Sequence, residues 1–217
     1  MYGKNRSNED FCVFEIEANP SHWERLDSVS TAYKNVGWRY QIVKAAAFDK
    51  PGTMTFYHQG TDRRRSEFGF SIKSMGNTDN EHFSKVEVPT LRLADWIQTE
   101  LLERQIPATP PSGTTYEKPI FGMKFDIEAS ELVVLPDMLM TGVMCKIDFM
   151  FGEYHTFLVP MEFENPNVTV KNEGQVRFLR NAMKGILGTA RNCQTSFIIM
   201  DDEEYLHDGK PLPGDQQ

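Results

Sequence analysis

Short apolar runs alternate along this chain with stretches that carry helical spacing and cap signals. Residues 11–16 are mostly apolar and end in Glu17-Ala18-Asn19-Pro20, the pattern of a short buried strand and its C-terminal turn. Ser21 follows with Glu24 three residues on, a capping-box spacing that predicts a helix to about residue 34, with Gly37 just beyond it. Residues 38–48, rich in β-formers and alanine, predict the next strand, closed by the turn Asp49-Lys50-Pro51-Gly52. Strand, helix and strand in such close succession imply a parallel βαβ unit.

Polarity alternates over residues 53–60, as on an edge strand, and residues 86–91 read as another strand followed by a helix over 93–102. A proline-rich stretch at 104–119 predicts a long surface loop. Beyond it come a strand over 120–127, a helix over 130–140 interrupted at Pro136, and a strand over 146–151. Asn172 with Gln175 caps a further helix whose apolar stripe is Val176, Leu179, Met183, Ile186, Leu187 and Ala190. A last strand spans 196–200. This alternation predicts one α/β domain over residues 11–205, with helices on both faces of a mostly parallel sheet, between a remnant at 1–10 and a tail at 206–217.

Composition changes this picture little. With 217 residues the chain can bury a full core, and acidic residues outnumber basic ones 31 to 23, for a formal charge of -8. That balance argues against nucleic acid or an anionic membrane as the main partner, and leaves a small anionic ligand open. No run approaches the roughly 18 apolar residues of a membrane span. Cys12, Cys145 and Cys193 are odd in number and form no CxxC pair, so neither a zinc site nor a disulfide is expected; Cys12 and Cys145 read as buried free thiols. Sequence does not indicate an oligomeric state or compartment.

In open α/β sheets ligands bind beyond the carboxyl ends of the strands, so the polar residues after each apolar run carry the interest. Glu17 follows the first strand and can accept hydrogen bonds from ribose hydroxyls; Asp49 follows the second and can receive an amino group, or serve only its turn. Asp126 with Glu128, and Glu153 with His155, close the next two strands. Residues two apart on a strand share a face, so if these strands continue and are neighbours, all four groups crowd one rim of the sheet. Such crowding suits a general base for an acceptor hydroxyl, with His155 the side chain nearest to titrating at neutral pH. It suits equally a divalent metal held by oxygen and imidazole, or a solvated network that includes Lys124. Arg63-Arg64-Arg65 can clamp an anionic acceptor or form a solvated loop.

These motifs resemble, in order, those of FkbM-type, class I S-adenosylmethionine-dependent methyltransferases. Glu17-Ala18-Asn19-Pro20 is similar to the family's E-x-N-P, and Ala46-Ala47-Phe48-Asp49 with Gly52 to its A-x-x-D-x-x-G. The block from Lys124 to Glu131 is similar to K-x-D-x-E-G-x-E, with Ala129 in place of the glycine and Ser130 in place of an alanine. Glu153-Tyr154-His155 looks like E-x-H, and Asp201-Asp202-Glu203-Glu204-Tyr205 like a terminal D-D-E-x-Y.

The resemblance implies a Rossmann-like sheet, S-adenosylmethionine as methyl donor, and a hydroxyl acceptor on a sugar or other small molecule. It assigns Glu17, Asn19 and Asp49 to the cofactor, Asp126, Glu128 and His155 to catalysis on the acceptor side, and Lys124 and Glu153 to the substrate, with no metal. It also implies a first strand and glycine-rich D-x-G-x-x-x-G loop about 20 residues before Glu17, where this sequence has Met1 to Asp10. The expectation is a truncated product of a longer gene, whose competence rests on that loop. Two other classes of function stay open: a non-catalytic partner-binding module on the same scaffold, and a metal-dependent hydrolase using Asp126, Glu128, Glu153 and His155.

Overall fold

The computed structural model describes residues 11–59, 70–72, 83–105, 119–153, 155, 161–162, 169–170, 173–189, 193 and 195–199. The expected basic run at Arg63-Arg64-Arg65, most of the proline-rich loop, the cap at Asn172 and the acidic Asp201–Tyr205 motif lie outside these residues. The described residues fall into two compact units, one holding 11–46 with 104, 105 and 119, and the other those within 47–103 and 120–199. Both mix strands with helices, and the predicted α/β class is present, with parallel pairing in each.

In the first unit β1 (Cys12–Ile16) leads into α1 (Pro20–Asn35) and then β2 (Arg39–Val43). The strands pair in parallel, from Cys12 opposite Arg39 to Ile16 opposite Val43, which is the βαβ unit read from the sequence. The cap differs from the Ser21-Glu24 box that the spacing suggests. Asn19 is the N-cap: its Oδ1 accepts from the Ser21 amide, and Pro20 occupies the first helical turn. Proline fits there because its missing N–H belongs to the turn that has no intrahelical partner. At the other end Gly37, at φ 83, donates to Lys34 O while the Trp38 amide donates to Tyr33 O. This pair of bonds is a Schellman motif, and Trp38 stacks on Tyr33 at 4.8 Å to close it.

The strand expected over 38–48 is two strands. β2 ends at Val43, and β3 (Ala46–Phe48) joins a separate sheet of order β3-β5-β4, with β4 at Gly52–Gln59 and β5 at Phe83–Arg92. β4 lies at the edge, as its alternation implies, and pairs antiparallel with β5 from Gly52 opposite Thr90 to Gln59 opposite Phe83. β5 runs straight into α2 (Leu93–Ile97), which loosens into π-helical turns over Gln98–Leu102. Arg92, at this junction, reaches Asp137 with two hydrogen bonds of 3.1 and 2.8 Å, and a third of 3.2 Å goes to Asp95.

A second sheet in the same unit has the order β10-β7-β6, all parallel, with β6 at Gly122–Phe125, β7 at Phe149–Gly152 and β10 at Ser196–Ile199. Between β6 and β7 runs α3 (Glu131–Met140), followed by a 3-10 turn at Met144–Lys146. A short antiparallel pair, β8 (Met161–Glu162) with β9 (Thr169–Val170), precedes α4 (Glu173–Thr189). α3 passes through Pro136 unbroken, against the expected interruption. Proline there costs one ladder hydrogen bond, but Leu132, Val133, Val134, Leu135 and Met138 are all buried, and that packing outweighs the loss. On α4, Met183 and Leu187 are buried as the stripe predicts, whereas Ile186 is exposed.

Cys145 and Cys193 form a disulfide, correcting the expectation of free thiols; Cys12, expected to be buried, is free and exposed. Their sequence separation of 48 gave no motif to read, because the pairing depends on the 3-10 turn before β7 coming beside the segment before β10. Among the described residues no helix is long and apolar enough to cross a membrane.

Candidate functional site

The carboxyl ends of two neighbouring parallel strands position the main cluster. Phe125 and Gly152 are the last paired residues of β6 and β7, and the chain leaves both strands immediately afterwards. Close approach is built in at this point: a Cβ on Gly152, which has φ 153, would stand 1.8 Å from the Phe125 carbonyl oxygen. Only glycine lets the two backbones part here. The Glu153 amide then donates to Phe125 O at 3.0 Å, holding the next residue against the end of β6.

Neither strand continues as far as the same-face argument required. Glu128 and Ala129 instead take left-handed conformations at φ 49 and 80, turning the chain into α3. Such backbone is unfavourable for residues with a Cβ, and it occurs at the position where the resembling family has glycine. The turn is held by Ser71, whose hydroxyl donates to Glu128 O, and by Glu131, whose Oε1 accepts from the Ile127 amide at 3.0 Å. Asp126 and Glu128 therefore come to one place through a turn.

Their common neighbour is His155, which is 6% exposed. Its Nδ1–H donates to Glu131 Oε1 at 2.9 Å. Its Nε2 lies 3.5 Å from Glu153 Oε2, 3.7 Å from Asp126 Oδ1 and 3.8 Å from Glu128 Oε2. Four carboxylates thus surround one imidazole. Glu131 is wholly buried, and its Oε2 accepts no hydrogen bond among the described residues.

Electrostatics follows from this crowding. Burial works against charge on His155, but the hydrogen bond and charge of Glu131, helped by Glu128 and Asp126, overcome it and push the imidazole up to about 9. Glu128 is pushed up to about 7, first by burial and then by Asp126, Glu131 and Glu153, with His155 opposing. The side chain poised at neutral pH is therefore Glu128, not His155 as its intrinsic chemistry suggested. Glu131 closes the block that begins at Lys124, but sequence reasoning gave it no role in the site. An acid in the first turn of a helix is ordinary favourable placement, and nothing in its spacing announces complete burial.

The remaining candidates sit elsewhere. Lys124 is exposed on β6. Asp49, after β3, is half-buried, and its Oδ1 accepts no hydrogen bond among the described residues. In the first unit Glu17 follows β1 and is engaged locally: Oε1 accepts from the Asn19 amide, and Oε2 lies 3.5 Å from His22 Nδ1. Asn19 is buried as the helix cap, so its side chain first of all orders this turn. Burial and the charge of Glu17 raise the neighbouring Glu15, with His22 opposing.

No model of a known protein family, no curated protein and no solved structure matches the chain.

Proposed function

We propose that this chain is an S-adenosylmethionine-dependent O-methyltransferase of FkbM type with a Rossmann-like fold, acting on a hydroxyl of a sugar or another small molecule. The observation that carries the reading is the gathering of Asp126, Glu128, Glu153 and His155 beyond the carboxyl ends of parallel β6 and β7. These are the residues for which the ordered motifs imply an acceptor-side role.

By resemblance, two carboxylates are the hydrogen-bond acceptors for the cofactor. The buried oxygen of Asp49 suits an exocyclic amino group such as that of adenine, and the carboxylate of Glu17, which also accepts from the Asn19 amide, would use its remaining lone pairs for ribose hydroxyls. When bound, S-adenosylmethionine supplies an electrophilic methyl on a sulfonium. Glu128, half-ionised near neutral pH, would take the proton of the acceptor hydroxyl, freeing its oxygen to receive the methyl while the rest of the cofactor leaves as a neutral thioether. His155, held as imidazolium by Glu131, stabilises the developing alkoxide and keeps Glu128 oriented. Asp126 and Glu153, either side of that cation, accept hydrogen bonds from further hydroxyls of the substrate. Lys124 and Asn19 complete the set by resemblance, the first on the substrate side and the second on the cofactor side.

Calorimetry of the chain with S-adenosylmethionine, followed by transfer of a labelled methyl group to a panel of sugars and small hydroxyl compounds, tests the proposal. The expected result is micromolar binding and turnover that Glu128→Gln lowers roughly a hundredfold or more. Absence of cofactor binding by the folded chain would overturn it in favour of a non-catalytic partner-binding module.

A further inference from the structure

The geometry points to a divalent-cation site formed by His155 Nε2 with carboxylate oxygens of Asp126, Glu128 and Glu153. It deepens the methyl-transfer reading, since the cluster is the same, and gives the acceptor side a metal where the motifs imply none: the ion replaces the Nε2 proton of the imidazolium and takes over its part toward the alkoxide.

Three observations carry it. First, the Nδ1–H bond to Glu131 leaves Nε2 turned toward three carboxylate oxygens at 3.5, 3.7 and 3.8 Å. Two atoms that share an ion at bond lengths of about 2.1 Å stand roughly 3.0 to 3.4 Å apart, so shifts of a few tenths of an ångström bring Nε2 to that separation from each of the three oxygens. Second, ligand atoms of Asp126, Glu131 and His155 all lie within 4.8 Å of one another. Two of these, Asp126 and His155, belong to the proposed site, and Glu131 backs the ring at its other nitrogen. Third, Glu131 has no exposure, and its Oε2 accepts no hydrogen bond among the described residues. Its other oxygen accepts from the Ile127 amide and from His155 Nδ1, so donors hold the carboxylate on one side only, and a cation on the far nitrogen of the same ring adds the positive charge that a wholly buried carboxylate calls for.

The division of labour is a familiar one for metal-bound imidazole. Glu131 accepts from Nδ1, fixes the tautomer and ring orientation, and makes Nε2 a better donor to the ion. One nitrogen among several carboxylates is a hard, oxygen-rich set, which favours Mn2+ or Mg2+ over metals that select thiolate. An ion so held would bind an acceptor through two adjacent oxygens, selecting a vicinal diol or hydroxy-carboxylate.

Mn2+ titration of the full chain, followed by electron paramagnetic resonance without methyl donor or acceptor, tests the site. One Mn2+ per chain is expected. Asp126→Asn, at a half-exposed side chain, should weaken binding at least tenfold, and Glu131→Gln should do so by 10- to 100-fold through the ring it orients. His155→Gln should abolish it. Circular dichroism confirms that each variant is folded. No stoichiometric Mn2+ binding by the folded protein, or binding that Asp126→Asn leaves unchanged, would overturn the proposal and leave a proton as the charge that the cluster shares. Mn2+ binding without affinity for S-adenosylmethionine would keep the site and remove methyl transfer. Methylation that persists in chelator, without Mn2+ binding, would do the reverse.

Discussion

Nδ1 of His155 lies 2.9 Å from Oε1 of Glu131, a carboxylate with no solvent exposure at the start of α3. This contact joins the segment after β7 to the helix after β6. It decides which ring nitrogen faces the other acids, and it is the largest of the influences that keep the imidazole charged.

The first prediction concerns that charge. In Glu131→Gln the amide oxygen can still accept from Nδ1, but the buried negative charge is gone. The His155 pKa, followed by NMR, should fall from about 9 toward its ordinary value near 6.5. A value unchanged in the variant would show that Glu131 does not hold the proton.

Stability of the metal-free protein should decline with rising pH. Both shifted groups are raised in the folded state: Glu128 from 4.5 to about 7, and His155 from 6.5 to about 9. A raised group contributes stability that is complete below its unfolded pKa and is lost as pH rises through the folded one. The contribution of Glu128 should therefore fade between about pH 4.5 and 7, and that of His155 between about 6.5 and 9. Urea midpoints from pH 5 to 10 should fall, and His155→Gln should flatten the upper part of the curve.

At the strand ends Gly152→Ala should be severely destabilising. The added methyl would meet Phe125 O at 1.8 Å, and backbone, unlike a flexible side chain, cannot swing away. A cost above roughly 3 kcal/mol is expected by urea denaturation, in line with the large effects of overpacking combined with backbone strain. The same change at Gly37, where no atom lies within 4 Å of the new Cβ, should cost only about 1 kcal/mol for its positive φ.

Ala129 tests the left-handed turn. It is fully buried at φ 80, so Ala129→Gly exchanges a methyl contact for relief of backbone strain, and the two should balance to within about 1 kcal/mol. Ala129→Val should cost more than about 2 kcal/mol, because a β-branched residue suits neither that conformation nor the space. Equal stability of the two variants would count against the turn geometry.

Reduction of the Cys145–Cys193 disulfide should lower stability by roughly 2 to 4 kcal/mol, given the long loop that it closes. Melting temperature with and without a thiol reductant measures it. Double replacement by alanine should make the protein insensitive to reductant.

Much of the architecture was legible locally. Apolar runs bounded by turn residues located β1, β6, β7 and β10, alternating polarity located β4, and the βαβ unit around α1 followed from element lengths alone. Where local signals competed, the readings slipped. Asn19 took the cap that Ser21 offered, because Pro20 suits the first helical position; α3 passed Pro136, because five buried side chains hold it to the core.

For the candidate site, the ends of two apolar runs indicated that Asp126, Glu128, Glu153 and His155 follow strands, but the turn at Glu128 and Ala129, and not alternation along a strand, brings Asp126 and Glu128 to the imidazole. Tertiary structure alone decided what they became. The burial of Glu131, the approach of its carboxylate to His155 and the union of Cys145 with Cys193 each join residues at least 24 apart in sequence. Desolvation and charge act through space, so spacing along the chain cannot say that a glutamate ends at about 7 and a histidine at about 9.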